Sequence, residues 1–383
     1  MRADALANKL QNNSTTNFWK EIRTINNCKT SLPSSIDDAS SPGDICNLWQ
    51  KKFYELFNCI PSNRFQVGAV DTDEEVTITS QEILEAVLKL DNNKDCGLDN
   101  IAAEHLKYAC RKLYILLAIC FTGFLVHGSL PKSILSVILV PVIKDKVGKL
   151  NSSGNYRPIA LASILSKVLE RVLLSRLEQY LQTADNQFGF KQKHGTDMCI
   201  FALKELLDKY LSQNTTVFTC FIDLSQAFDR VNHCKLFKKL CLRGAPKYLI
   251  RILVFWYAHQ TMLVKWGNSI SAPFHVTNGV RQGSILSPFL FNVFMDDLSV
   301  HLNACKTGCI IGDRIVNHLM FADDLVVLCP SSAGLQQLLR VCSQYGTDFK
   351  YNAKKSIILI VRSKEDSKLS FPDLSVWNDI KRV

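Results

Sequence analysis

The sequence predicts an α+β fold, in which a mixed sheet packs against helices. Two observations support this prediction. Helical periodicity dominates the first half of the chain, and strand patterns at 217–222, 315–321 and 325–329 are not joined by a regular series of alternating helices. A repeating βαβ architecture is therefore excluded, and no internal repeat typical of a solenoid occurs.

Local sequence patterns predict a succession of helices and strands along the chain. Apolar residues at helical spacing predict a short helix over 48–57, and Thr79 with Glu82 forms a capping box that opens a second helix ending near 90. The Val- and Ile-rich run 134–143 predicts a buried strand that leads into a basic loop. A helix over 161–181 and a strand over 217–222 follow, and a further helix over 288–302 precedes the last two strands.

The N-terminal segment and the longest apolar run indicate whether the protein is secreted or crosses a membrane. Segments 31–35 and 40–43 are rich in residues that interrupt regular structure, so residues 1–45 are predicted to form a flexible leader and linker without a signal peptide. The run Leu113 to Val126 is shorter than the roughly 18 residues that cross a bilayer. It therefore predicts a buried helix, and no membrane partner is expected.

Composition narrows the class of protein further. The 383 residues are 47% hydrophobic and 21% charged, which supports one large or two ordinary cores and excludes a disordered tail or a fibre. A net charge of +10 favours a polyanionic partner, and residues 144–193 carry half of that surplus. The 14 cysteines are scattered singly, which is typical of reduced thiols in an intracellular protein. Cys305 and Cys309, with His301 and His318 nearby, form a weak zinc candidate that lacks a second matched pair.

Three acidic residues occupy positions that packing does not explain. Asp223 follows a strand of bulky apolar residues, and Asp323 and Asp324 sit between two apolar runs in a turn that contains no Gly. Carboxylates beside apolar strands repel each other unless a cation neutralises them. Mg²⁺ is commonly held by carboxylates and substrate phosphates, and two such ions serve phosphoryl displacement. The alternative for an isolated Asp pair is a solvated turn.

Six motifs that follow one another along the chain favour the metal site over the solvated turn. They are Lys94 to Ile101, Asn155 to Ile159, Gln187 to Phe190, Phe221 to Asp229, Arg281 to Pro288, and Phe321 to Asp324. In this order, over roughly 80–365, they resemble the reverse transcriptases of non-LTR (LINE-type) retrotransposons. Cys96 stands where that family usually has Pro, and Phe321 replaces the commoner Tyr.

The resemblance implies a right-hand polymerase fold with fingers and an antiparallel palm sheet. By similarity, Asp223, Asp323 and Asp324 are the catalytic and metal-binding carboxylates, which hold two Mg²⁺ ions with Mn²⁺ as a substitute. Phe228 matches the bulky residue beneath the sugar, which clashes with a ribose 2′-OH and favours dNTPs; its alternative is a core aromatic.

The resemblance also assigns residues to the substrates. The implied dNTP-binding residues are Lys144, Arg157, Phe228, Gln282 and Lys355. The implied template- and primer-binding residues are Gln187, Phe188, Gly189, Phe190, Arg281 and Gly283. For Lys355 a solvated surface lysine is the alternative, and Arg281 is expected chiefly to hold the loop of its motif.

The domain organisation implied by the resemblance has four parts. Residues 1–45 are the leader, 46–130 a helical N-terminal extension of the fingers, 131–365 the fingers and palm, and 366–383 the start of a thumb that is largely missing.

The function implied is extension of a DNA primer 3′-OH on an RNA template with dNTPs, in a ribonucleoprotein of nucleus and cytoplasm. One alternative is a non-catalytic nucleic-acid-binding remnant of a truncated element. Another is a viral RNA-dependent RNA polymerase, which is expected to have Gly before Asp-Asp and a small or polar residue in place of Phe228.

Overall fold

The structure, a computed structural model, describes residues 32–61, 65–68, 76–346, 350–362 and 381–382. The N-terminal part of these ranges is helical. Its helices are α1 (Pro42–Phe57), α2 (Ser80–Leu88), α3 (Ala103–Lys107), α4 (Arg111–His127) and α5 (Lys132–Leu135). The predicted capping box is confirmed, since the Thr79 side chain accepts the Glu82 N–H and the Glu82 carboxylate accepts the Thr79 N–H.

The central part mixes strands with helices. It contains β1 (Ser136–Ile143), β2 (Tyr156–Leu161), α6 (Ile164–Leu177), α7 (Thr196–Ser212), β3 (Val217–Ile222), β4 (Leu224–Ser225), α8 (His233–Leu242) and α9 (Lys247–His259). Three short 3₁₀ helices lie at Ser153–Asn155, Glu178–Tyr180 and Phe228–Arg230 in the described residues.

The remaining elements complete two sheets. They are β5 (Thr261–Trp266), β6 (Ser269–Ile270), β7 (Phe274–His275), α10 (Ser287–Ala304), β8 (Cys309–Ile311), β9 (Arg314–Val316), β10 (His318–Phe321), β11 (Asp324–Cys329), α11 (Ser332–Tyr345), β12 (Lys350–Tyr351), β13 (Ile357–Val361) and β14 (Lys381–Arg382). The mixed helices and sheets confirm the predicted α+β class.

The first sheet has the order β2-β1-β5-β6, with β7 also paired to β5. Strand β1 runs antiparallel to β2 and parallel to β5. Helix α1 covers one face of this sheet, where Trp49 lies against the rings of Tyr156 and Trp266. This aromatic cluster forms a separate small core.

The predicted leader boundary at residue 45 is wrong. Ile36 and Ile45 are buried in the core beneath the first sheet, and the Asp37 N–H donates to the Asn151 carbonyl at 2.7 Å. Ser41 and Pro42, which predicted a linker, are instead the N-cap and first residue of α1. The predicted leader segment 1–31 lies outside the described residues.

The second sheet has the order β10-β11-β3-β13-β14, and its first four strands are mutually antiparallel. Helices α10 and α11 pack against it, and the main hydrophobic core joins this face to α2, α4, α6, α8 and α9. The predicted strand over 217–222 is confirmed. The sheet thereby fixes the ends of β3 and of the β10–β11 hairpin in one place.

Helix α4 departs from the prediction of a buried helix. Phe121 and Leu125 are buried, but Leu116 and Ile119 on the opposite side are 59% and 64% exposed. The helix is apolar on both sides and buries only one of them. None of the helices in the described ranges combines the length and hydrophobicity that crossing a bilayer requires.

Candidate active site

The three acidic residues singled out in the sequence lie at one edge of the second sheet. Asp223 follows the last residue of β3, and Asp324 is the first residue of β11. Because Leu325 pairs with Ile222 in an antiparallel register, Asp324 lies opposite Asp223. Asp323 sits in the β10–β11 turn, which the pairing of Phe321 with Asp324 closes.

The electrostatics of these carboxylates show that they share one environment. Burial first, and then repulsion from Asp324 and Asp223, raises the pKa of Asp323 above its ordinary value. Burial and repulsion from Asp223 also raise the pKa of Asp324. A cation that bound here would relieve this repulsion.

The donor set fits a hard divalent cation. Carboxylate oxygens are the ligands that Mg²⁺ prefers, and such sites use one or two carboxylates together with substrate phosphates. Within the described ranges no three His, Cys, Asp or Glu side chains converge to hold a metal ion by themselves. The pair formed by Asp223 and Asp323 therefore fits a site that the substrate completes.

A cavity of about 780 Å³ opens beside the carboxylates. Seven of the predicted site residues line it. Those that line it are Lys144, Arg157, Phe190, Phe228, Gln282, Gly283 and Asp323. This active-site cavity lies between the first sheet, α1 and the carboxylate edge of the second sheet.

Two basic side chains enter the cavity from the first sheet. Val142 pairs with Arg157 across β1 and β2, so Lys144, two residues further on, lies on the same face as Arg157. Burial lowers the pKa of Lys144, and the neighbouring Lys355 and Arg157 charges act in the same direction, whereas Asp229 opposes them. Lys355 is exposed and its charge reaches Lys144, which brings two predicted dNTP-binding residues together.

The loop that carries Lys355 is attached to the main chain of Asp223. The Asn352 N–H donates to the Asp223 carbonyl at 2.9 Å, and the Asp223 N–H donates to the Ser356 hydroxyl at 3.2 Å. This double attachment holds the lysine beside the carboxylate edge.

Phe228 forms part of the cavity wall. Its ring stacks on Phe291 with centroids 4.2 Å apart, and Phe190 approaches it edge-on at 6.1 Å. Phe228 is half-buried, so one side rests on the core and the other faces the cavity. Phe228 is therefore both a packed aromatic and part of the cavity wall, and its role beneath the sugar stays a prediction.

Asp229 lies at the cavity, although no role was predicted for it from the sequence. It is buried at the cavity, and the Gln282 side-chain amide donates to its carboxylate at 2.7 Å. Burial raises the pKa of Asp229 to about 7, with opposing contributions from Gln282 and Lys144. Its position directly after Phe228 was the signal that could have found it.

Gly283 meets the expectation of close backbone approach. Its φ is +106°, and a Cβ there would lie 2.9 Å from the Ala160 carbonyl oxygen. The Ala160 N–H also donates to the Gln282 carbonyl at 2.7 Å, which ties the loop to the first sheet. A side chain at 283 is therefore excluded by strain and by space.

Arg281, which was predicted to bind template or primer, does not line the cavity. The side chain is buried, pairs with Glu170 at 2.6 Å and lies over the Trp256 ring. This ion pair connects the loop of its motif to α6, which is the loop-holding role also expected for Arg281.

Gln187, Phe188 and Gly189, which were predicted to contact the template, do not line the cavity either. Gln187 is buried and bonds to the main chain of Ala322, Phe188 packs against a small core, and Gly189 is buried against Ala322. Only Phe190 of this segment, with 39% of its surface exposed, faces the cavity.

The weak zinc candidate is not assembled. His318 uses one ring nitrogen toward Ser299 at 2.8 Å and the other toward Asn317 at 2.6 Å. The Cys305 thiol donates to the His301 carbonyl. These hydrogen bonds leave no free ring nitrogen on His318 for a metal. The thirteen cysteines in the described ranges are all unpaired.

Comparison with known proteins identifies the family. A family profile described as "Reverse transcriptase (RNA-dependent DNA polymerase)" matches residues 143–367, more than half of the chain. The chain belongs to the reverse transcriptase family. The match includes the carboxylate edge and most of the residues that line the active-site cavity of this reverse transcriptase domain.

Its relatives come from non-LTR elements. "Probable RNA-directed DNA polymerase from transposon BS" of Drosophila melanogaster is 32% identical over 73% of this chain and 32% of its own length. "RNA-directed DNA polymerase from mobile element jockey" of Drosophila funebris is 30% identical over 67% and 28%. The chain spans about a third of the length of these curated relatives. Apo telomerase from Candida tropicalis is 13% identical with a TM-score of 0.46, over 68% of this chain and 57% of that one.

Proposed function

We propose that this reverse transcriptase domain extends a DNA primer on an RNA template with dNTPs, as part of a non-LTR retrotransposon protein. The observation that carries the proposal is that Asp323, which has Asp223 as a charged neighbour, lines a cavity whose other wall is basic. Anionic groups on one side and cationic groups on the other fit a triphosphate bridged by metal ions.

The proposed residues for the metal are Asp223 and Asp323, with Asp324 in support. They would hold two Mg²⁺ ions, or Mn²⁺ in their place, and the ions would supply positive charge to the attacking and leaving oxygens. The reaction joins the primer 3′-oxygen to the α-phosphorus of the dNTP and breaks the bond to the β-phosphate, so pyrophosphate leaves.

The basic wall acts on the triphosphate. Lys144 and Arg157 share a face of the first sheet, so both can neutralise charge on the same phosphate chain. Lys355, held beside Asp223 by its loop, is placed to stabilise the departing pyrophosphate.

The aromatic wall selects the sugar and the base pair. Phe228 is braced by Phe291 and cannot retreat, so a ribose 2′-OH on its cavity side would clash. Phe190 and the bare backbone of Gly283 lie beside it, where the nascent base pair would stack. We propose that the whole assembly works as a ribonucleoprotein in nucleus and cytoplasm.

Primer extension on a poly(rA)/oligo(dT) duplex with Mg²⁺ tests the proposal. We expect the chain to incorporate dTTP in preference to UTP, and Phe228→Val to reduce that preference by roughly 10- to 100-fold. Faster use of UTP by the parent would indicate an RNA polymerase. Salt-sensitive binding of the duplex without any extension would indicate a non-catalytic remnant.

A further inference from the structure

The turn between β10 and β11 contains a strained residue. Ala322 has a φ of +58°, in the left-handed region that costs a residue with a Cβ roughly 1–2 kcal/mol. Asp323 and Asp324 follow directly, so the direction of both carboxylates depends on this conformation. An Ala in such a position requires support from outside the hairpin.

Gln187 supplies that support from another part of the chain. Its Oε1 accepts the N–H of Ala322 at 2.9 Å and the N–H of Gly189 at 2.8 Å. Its Nε2 donates to the Ala322 carbonyl at 3.2 Å. Both backbone polar groups of Ala322 are therefore satisfied by one buried side chain, which is 3% exposed.

The backbone around Gln187 is fixed to the same hairpin. The Met320 N–H donates to the Asn186 carbonyl and the Phe188 N–H donates to the Met320 carbonyl, both at 2.8 Å. This short parallel pairing adds residues 186–188 to the free edge of β10. The Gln187 side chain thus begins from a rigid backbone.

Gly189 makes the close approach possible. A Cβ on this residue would collide with the Ala322 backbone, and its carbonyl is held by the Asn292 side chain at 2.7 Å. The next residue is Phe190, which faces the active-site cavity. The segment 187–189 therefore packs against the catalytic turn and leaves no surface for nucleic acid at Gln187.

We propose that Gln187 is a positioning residue for the catalytic carboxylates, which it orients through Ala322 without touching template, primer or nucleotide. Its kinetic consequence rests on the proposed polymerase function, whereas its effect on the turn does not. Loss of the side-chain amide frees Ala322 from its strained conformation and moves Asp323 away from the cavity.

The test uses Gln187→Met, which keeps the length of the side chain and removes its hydrogen bonds. Asn317→Leu is the matched control. Asn317 directly precedes β10, at the end of the strand away from Ala322, and its buried side-chain amide donates to the Leu302 carbonyl. Hydrogen–deuterium exchange of a peptide covering 320–325 is measured for both, together with kcat, the KM for dTTP and the Kd for primer–template duplex.

We expect Gln187→Met to speed exchange at Ala322 at least about tenfold and to lower kcat about 10- to 100-fold, with KM and Kd within about threefold of the parent. Asn317→Leu changes kcat less than threefold. Gln187→Asn, one methylene too short to reach Ala322, behaves like Gln187→Met and replaces it should that variant not fold.

Two results would overturn the proposal. One is a weakened Kd for duplex with kcat retained, which would restore a template contact. The other is unchanged exchange at 320–325. The exchange result decides the role of Gln187 even if the parent fails to extend a primer, so failure of the proposed function is recognised separately.

Discussion

The carboxyl group of Asp229 lies in the wall of the active-site cavity with almost no contact with water. Its pKa is raised to about 7, mainly by burial, and Gln282 donates to it at 2.7 Å. The proton on this group is therefore coupled to folding near neutral pH.

Asp229→Asn is expected to remove a pH dependence of stability. An ordinary Asp titrates near pH 4, so the folded protein binds an extra proton between about pH 4 and pH 7. The contribution is fully present below this window and is lost as pH rises through about 7, at up to about 1.4 kcal/mol per pH unit. Urea unfolding in EDTA should show the variant to be more stable than the parent at pH 8 and equal at pH 4.

The control is Asp313→Asn, in the exposed β8–β9 turn, which keeps the pH dependence of the parent. Equal slopes for Asp229→Asn and the parent would show that the carboxyl is already charged in the folded state.

The charge on Asp323 also lowers the stability of the folded protein. Burial and two neighbouring carboxylates raise its pKa, so its charge destabilises the fold when no cation is bound. We expect Asp323→Asn to raise the free energy of unfolding in EDTA by up to about 2 kcal/mol. Mg²⁺ should raise the thermal midpoint of the parent and leave that of the variant unchanged. A less stable variant in EDTA would contradict this account.

At the scale of elements, one buried carboxylate joins α6 to the start of α10. Glu170 accepts from Arg281 at 2.6 Å, from the Ser284 hydroxyl at 2.7 Å and from the Ile285 N–H at 2.6 Å. These donors include a backbone N–H just before α10, where a negative charge is favourable. The loop that carries Gln282 and Gly283 is thereby fixed from below.

Glu170→Ala is expected to destabilise the fold by about 3–5 kcal/mol, because it leaves the Arg281 guanidinium buried and unpaired. The double variant Glu170→Leu with Arg281→Met should lose less than the sum of the two single changes. Urea unfolding with linear extrapolation gives each value. As a control, Lys52→Met breaks an exposed pair with Asp37 and should cost at most about 1 kcal/mol. Additive losses at Glu170 and Arg281 would show that the pair is not coupled.

The elements that the sequence predicted well are those with local signals. The capping box of α2 and the apolar run of β3 depend on residues within one element, and both are confirmed. The leader boundary failed because Ser41 and Pro42 occur equally in linkers and at helix starts. The packing contacts of Gln187 and Arg281 could not be predicted, because their partners, Ala322 and Glu170, lie 135 and 111 residues away in sequence.

At the scale of the whole molecule, the net charge of +10 is not all available to nucleic acid. Within 144–193, Arg176 pairs with Glu82, and Lys191 donates to the Thr183 and Ala184 carbonyls. Lys146, Lys149 and Lys193 are exposed. The basic segment thus divides into residues that hold the fold and residues that can meet phosphates.

The triple change Lys146→Ala, Lys149→Ala and Lys193→Ala should weaken duplex binding and flatten its salt dependence. Each lost phosphate contact lowers the slope of log K against log salt by about 0.9. Fluorescence anisotropy between low and moderate salt measures this slope. Changing Lys132, Lys204 and Lys238, which are exposed on other helices, to Ala should leave the slope unchanged. Equal slopes for the two triple variants would show that the charge acts without a defined surface.

The order of motifs along the chain predicted more of the site than any single motif could. It placed Asp223 and Asp323 together across 100 residues of sequence, and the sheet register confirms that placement. It could not separate residues that face the cavity from those behind it, since both groups share the same motifs. Only packing distinguishes Phe190 from Gln187, or Gly283 from Arg281.

Single-turnover incorporation of dTTP on a poly(rA)/oligo(dT) duplex tests the central claim most directly. The parent, Asp223→Asn, Asp323→Asn and Asn317→Leu are compared at saturating duplex and Mg²⁺. We predict that both Asp variants bind duplex as the parent does but incorporate at least about 100-fold more slowly, while Asn317→Leu stays within threefold of the parent. Incorporation by either Asp variant at the parental rate would contradict the assignment of this carboxylate edge as the catalytic centre.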